Sequence, residues 1–146
     1  MGNVNRKNNS YSEAIRCYNE AIQAEPKNTI ARTNKGLVKH IQGDYPGSIE
    51  IFKQVLIMDK NNFPAIKALA DGYMKIGKVE NAFSYYEKAQ ALAPSNLNIT
   101  IQIAEAAKRL RKYKLATNLL HELIKTNPDF TPAYISLSGI YREQKN

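Results

Sequence analysis

Small and large apolar residues recur along the chain with a spacing that a helix gathers onto one face. Tyr11, Ala14, Tyr18 and Ala21 are separated by steps of three, four and three residues. The same steps return at Tyr45, Ser48, Phe52 and Val55, at Val79, Ala82, Tyr86 and Ala89, and at Tyr113, Ala116, Leu120 and Leu123. Steps of three and four align side chains on a single stripe of an α-helix. In each copy the small residue stands four positions before the large one, so a close approach and a bulky filler share that stripe. Successive copies lie 34 residues apart, the mark of a stack of like supersecondary units.

The punctuation between these helices keeps the same period. Pro26, Pro94 and Pro128 share one register, and the remaining place holds Lys60, followed by Asn61-Asn62 as Pro26 is followed by Lys27-Asn28. Proline lacks a backbone donor and biases its predecessor out of the helical region, so each such position predicts the end of a helix. Gly43 and Gly77 fall between the two helices of their units, where a residue free to take positive φ closes the first helix. Asp44-Tyr45-Pro46 then sets a proline in the first turn of the next. The pattern predicts units of helix, tight turn and second helix, packed antiparallel and stacked on their neighbours. The units span 29–62, 63–96 and 97–130, preceded by a partial repeat over 1–28 that is mainly its second helix. Residues 131–146 read as one further helix, the first of another repeat or a cap.

Particular residues sharpen this into a family resemblance. Leu69-Ala70 with Tyr73, then Gly77, Ala82, Tyr86, Ala89 and Pro94 mark 63–96 as the fullest copy, and Gly36, Gly43, Tyr45 and Phe52 support 29–62. The unit 97–130 keeps Ile103-Ala104, Tyr113, Ala116 and Pro128 but has Arg111 where the turn glycine is expected. In these positions the chain resembles the tetratricopeptide repeat family over essentially its whole length. The resemblance implies an all-α, right-handed solenoid. Met1-Gly2 falls in the register of Lys35-Gly36 and Leu69-Ala70, and Pro132-Ala133-Tyr134, Leu137-Ser138 and Tyr141 continue it at the other end. Because terminal repeats normally carry a polar outer cap, the apolar Tyr134, Leu137 and Tyr141 favour an excised segment of a longer array. Its open ends would promote self-association.

Composition limits the classes of function. With 43% hydrophobic and 23% charged residues, 146 residues suit one soluble globular unit and exclude a disordered or collagen-like chain. A polar amino-terminus, no long apolar run and a single cysteine, Cys17, point to a cytoplasmic, intracellular setting without membrane insertion. His40 and His121 are far apart, and only Asp44 stands at ligand-like spacing from His40, which is more simply a surface contact than a metal site. Phosphate-binding glycine loops, a nucleophile elbow and metalloprotease helix motifs are missing from the sequence. The chain therefore reads as non-catalytic, needing no cofactor, metal or small-molecule substrate.

What remains is surface. In the family it resembles, first helices line a concave groove for a peptide segment of a partner protein. By register, the groove would offer Thr33, Lys67, Ile101 and Ile135 in one row, with Asn34 and Gln102 beside them. Leu37, Asp71 and Glu105 follow, then His40, Met74, Lys108 and Arg142, flanked by Ile41, Lys75, Arg109 and Glu143. Leu37, Met74, Ile101 and Ile135 would be apolar anchors, while the basic residues would meet acidic groups or a terminal carboxylate. A net charge of +8 agrees with an acidic partner. One branch of the family clamps the acidic tails of heat-shock chaperones with Lys, Asn, Asn, Lys and Arg. Asn3 and Asn34 fall on its Asn places, but Pro64 and Ala68 occupy its last two, so binding in that mode is not expected. The run from Lys108 to Lys114 holds five basic residues in seven, read as a solvated turn in preference to a nucleic-acid or anionic-surface patch. Other readings of the whole are the scaffold portion of a larger enzyme or complex, or a homotypic assembly module.

Overall fold

The computed structural model describes residues 2–145, with side chains from Ser10 onward. Among the described residues it contains eight α-helices and no strand: α1 (Gly2–Ala24), α2 (Thr29–Ile41), α3 (Tyr45–Met58), α4 (Phe63–Lys75), α5 (Val79–Leu92), α6 (Leu97–Arg109), α7 (Tyr113–Thr126) and α8 (Thr131–Gln144). They form two compact units, Met1–Ile76 and Gly77–Asn146. The division falls within the unit 63–96, leaving α4 in one and α5 in the other.

The helix starts are written in short polar side chains. Asn28 and Asn62 each accept a hydrogen bond from the backbone N–H three residues on, at Ala31 (2.8 Å) and Ala65 (3.1 Å), satisfying a donor that the first turn leaves free. Where Lys60 replaces the proline, Asp59 organises the turn: its carboxylate accepts from the Asn61 amide at 3.3 Å and the Asn62 side chain at 3.0 Å. Pro46, Pro64 and Pro132 sit in the first turns of α3, α4 and α8, where no N–H is missed.

The turn between paired helices is the same whether or not it holds glycine. Gly43 (φ 84°), Gly77 (φ 77°) and Arg111 (φ 58°) all take the left-handed conformation. Around Gly43 the amide of Asp44 reaches back to the Lys39 carbonyl at 3.0 Å, and around Arg111 the amide of Lys112 reaches Ala107 at 2.8 Å. Both are the six-to-one bond of a glycine-type helix end. Arg111 thus bears a Cβ in a region that costs an L-residue roughly 1–2 kcal/mol. Arg111→Gly removes that strain and returns part of it as unfolded-chain entropy, so a net stabilisation of about 0.5–1 kcal/mol is expected in denaturant melts. An unchanged or lowered midpoint would contradict it.

In the first unit α2 packs on α1 and α3, and α4 on α3 and α2. Phe52, Val55 and Ser48 of α3 are fully buried. Ser48 is tolerated there because its hydroxyl donates to the Tyr45 carbonyl at 2.9 Å. The ring of Phe52 lies so close to α2 that a Cβ on Gly36 would stand 2.6 Å from its edge. The crossing of α2 and α3 is therefore close at this point. In the second unit Ala104 and Ala107 of α6, Ala116, Leu120 and Leu123 of α7, and Ala133 and Ile140 of α8 form one buried cluster.

The amino-terminal segment is one continuous helix. Register places Gly2 opposite Tyr18, as Gly36 stands opposite Phe52, but α1 runs unbroken from Gly2 to Ala24. At 1.5 Å per residue these two positions are about 24 Å apart along one helix. Residues 2–10 are an extension of α1, not a folded-back first helix. Met1 lies outside the described residues, as does the side chain of Asn3.

Candidate binding faces of the first helices

Two faces are built from first helices, one in each unit. On α2 and α4, Asn34, Leu37, His40, Lys67, Asp71 and Met74 are half-buried and Lys75 is exposed. Thr33 does not join them. It is only 5% exposed and its hydroxyl donates to the Thr29 carbonyl at 2.7 Å, so it fills the core of the first unit, where a side chain that bonds its own helix can be buried. Lys67 is also less free than its register suggests, for its ammonium stands 2.8 Å from the Asp71 carboxylate one turn on. An ion pair at this spacing on a half-exposed face holds geometry while contributing little stability.

His40 sits edge-on to the Tyr45 ring, 5.0 Å between centroids, and its Nδ1 is buried with no hydrogen-bond partner among the described residues. Burial pushes the imidazole below the usual histidine range, Asp71 pulls it back, and Lys75 and Lys67 lower it further. Together these favour the neutral ring. Asp44, one turn away, does not meet it. The Asp44 carboxylate accepts from Lys39 Nζ at 2.6 Å and from the Gly47 amide at 2.9 Å, and these two bonds hold it below the ordinary aspartate range. A depressed folded-state value means stabilisation that is present above the unfolded aspartate value and lost as pH falls through the folded one. Asp44→Ala is expected to cost about 1 kcal/mol at neutral pH, mostly as a lost N-cap, and the gap to wild type to close in thermal melts as pH falls below the ordinary aspartate range. A constant gap down to strong acid would exclude the carboxylate as its source.

On α6 and α8, Ile101, Gln102, Glu105 and Lys108 are half-buried, while Arg109, Ile135 and Arg142 are exposed. Ile135 is 67% exposed, a lone apolar side chain in water. Glu105 is the hub: it takes Lys108 at 2.7 Å and Arg109 at 3.3 Å, and Lys108 also reaches Glu143 of α8 at 3.7 Å. Glu143, a flanking position in the register, thereby ties the two first helices together. Its sequence signal was only its column, since the cross-helix distance depends on how α8 packs on α6.

The basic run from Lys108 to Lys114 is dispersed by the same contacts. Lys108 and Arg109 turn to Glu105, Arg111 forms the turn, and Lys112 lies over the Phe83 ring at 5.3 Å from its centre. A separate open hollow, unmarked in the sequence, lies among α5, α6 and α7, lined by Gln90, Leu97, Thr100, Leu119, Glu122 and Thr126. Gln90 donates to Thr100 at 3.0 Å on its wall. Among the described residues no three His, Cys, Asp or Glu side chains gather as a metal would require, and no helix is long and apolar enough to cross a membrane.

Comparison with known proteins agrees with this architecture. Residues 2–43 match the family model described as TPR repeat, and residues 68–96 that described as Tetratricopeptide repeat. The chain is 25% identical over 80% of its length to Tetratricopeptide repeat protein 8 of Caenorhabditis elegans, and 29% identical over 90% to Superkiller protein 3 of Schizosaccharomyces pombe. It spans 23% and 10% of the lengths of those two proteins. Among solved structures, MamA superposes with a TM-score of 0.84 over 99% of this chain and 85% of its own, at 21% identity. The first TPR of Spaghetti (RPAP3), bound to the HSP90 peptide SRMEEVD, does so with 0.71 over 81% and 94%, at 21% identity. The second TPR domain of human RPAP3, in complex with the HSP70 peptide SGPTIEEVD, gives 0.70 over 77% and 94%, at 24% identity. With its period, its glycine-type turns, its small-against-large helix crossings and these matches, the chain belongs to the tetratricopeptide repeat family.

Proposed function

We propose that this chain is a non-catalytic protein-interaction scaffold whose first-helix faces hold a peptide segment of a partner protein. The observation that carries the reading is the chemistry of those faces. Leu37 and Met74 are half-buried apolar side chains set beside Lys67, Asp71 and Lys75, and Ile101 stands beside Glu105, Lys108 and Arg109. Such a surface suits a segment that alternates apolar and acidic side chains, the apolar ones supplying affinity and the acidic ones register. The structural neighbours bound to chaperone peptides support a peptide-binding role by likeness of fold. Most of the basic groups already have a carboxylate partner, so a ligand must exchange ion pairs, and apolar anchoring carries the larger share.

The test is selection from a displayed random-peptide library, followed by affinity measurements on variants of one face. Selected peptides are expected to lose about 10-fold or more with Leu37→Asp/Met74→Asp and several-fold with Lys75→Glu. Peptides that bind both variants as they bind wild type would move the site elsewhere. The chaperone peptides SRMEEVD and SGPTIEEVD are expected to bind no better than scrambled versions, because Pro64 offers no donor and Ala68 is buried. Micromolar affinity abolished by Asn34→Ala would overturn that.

A further inference from the structure

The hollow among α5, α6 and α7 has a volume of about 370 Å³, and none of these three is the first or last helix of the chain. Pro94, Leu97, Leu119 and Leu123 make its apolar part. A second hollow of about 410 Å³ shares Leu97, Thr126 and Asn127 with it and continues to Asp129 and Phe130. The two form one trough.

Once Gln90 and Thr100 are known to meet on its wall, their columns become informative. One period earlier the same places hold Leu56 and Ile66, and one period later Ile124 and Tyr134. Ile66 is 3% exposed, so the preceding repeat fills its place with a packed apolar side chain. Gln90 and Thr100 are half-buried and bond each other at 3.0 Å instead. A polar pair that must satisfy itself contributes no more than the apolar pair it replaces, so packing gives no reason for it.

The hydrogen bonds around the trough leave a bias toward acceptors. Gln90 spends an N–H on Thr100, and the Thr126 hydroxyl donates to the Glu122 carbonyl at 2.9 Å. The Asn127 side chain donates to Thr126 Oγ1 at 2.9 Å and to the Leu123 carbonyl at 3.4 Å. Left over are the side-chain oxygens of Gln90 and Asn127 and the Glu122 carboxylate, none of which meets a donor or a cation among the described residues. No lysine or arginine lines either hollow, although the chain carries a net charge of +8.

We infer that this trough is a second docking site, which takes an arginine set beside an apolar residue in a segment of a partner protein. The guanidinium brings its fork of N–H donors to the three acceptors, while its aliphatic stem and the neighbouring apolar side chain lie on Leu97, Leu119 and Leu123. An acidic segment, which the first-helix faces suit, is the poorer occupant because Glu122 would meet it with like charge. The inference stands apart from the first-helix reading of α2 and α4, whose residues belong to the other compact unit.

Selection of short peptides from a displayed random library by the wild-type chain, with an excess of soluble Glu122→Lys chain as competitor, tests this. Glu122 is exposed, so its replacement leaves the fold intact, as circular dichroism would check. The selected peptides are expected to carry arginine within a few positions of an apolar residue and to bind Glu122→Lys about 10-fold or more weakly. Gln90→Leu/Thr100→Ile restores the apolar pair of the preceding repeat; its thermal midpoint is expected to hold or rise while affinity for the same peptides falls several-fold. Leu37→Asp/Met74→Asp should leave these peptides bound as before, which separates this site from the first-helix faces. Selection of acidic or wholly apolar peptides, or of none that outlast the competitor, overturns the proposal. So does a Gln90→Leu/Thr100→Ile chain that binds as wild type does.

Discussion

Phe52→Ala is expected to destabilise the first unit by about 3–5 kcal/mol, the usual cost of emptying a fully buried aromatic site. The more discriminating result lies in its coupling to Gly36. Placing a Cβ at residue 36 drives it to 2.6 Å from the Phe52 ring, so Gly36→Ala is expected to cost roughly 1–3 kcal/mol in the wild-type background. In the Phe52→Leu background the obstruction is withdrawn, and the same substitution should become neutral or stabilising by up to about 1 kcal/mol through helix propensity. A double-mutant cycle read by urea melts measures this change of sign. Additive effects would show that residue 36 is glycine for some reason other than the aromatic opposite it.

Leu120→Ala should cost about 2–5 kcal/mol in the second unit, where Leu120 is the largest fully buried residue of the cluster that joins α6, α7 and α8. Hydrogen exchange separates the two substitutions. In a repeat protein each helix pair contacts only its neighbours, so Leu120→Ala should speed exchange mainly in α6 to α8, and Phe52→Ala mainly in α2 to α4. Equal acceleration of every helix in both variants would mean a single all-or-none unit.

The helices were legible because their signals are local. Gly43 and Gly77 announced left-handed turns, and Arg111, at the same register, adopts the same backbone with φ 58° despite its side chain. There the register outweighed residue preference, since the turn is held by the helices on either side. The site was less legible. Thr33 shares a column with Lys67, Ile101 and Ile135, yet it is buried while Ile135 stands in water. A column records position along a repeat, whereas burial depends on what neighbouring helices bring to that position. The basic residues show the same gap. Lys67, Lys108 and Arg109 read as cations offered to a ligand, and each proves to be held by a carboxylate on its own or an adjacent helix.

Periodicity and turn chemistry act within a few residues of the backbone, so the sequence by itself determined the repeat, the helix boundaries from Tyr11 onward and which stripe of each helix seeks a partner. Only tertiary structure decided which stripes found one. Phe52 and Leu120 are fully buried because helices lie against them, whereas Tyr18, in the same column, is only half-buried. Nothing in their local sequence distinguishes these cases, because burial is a relation between helices and not a property of either.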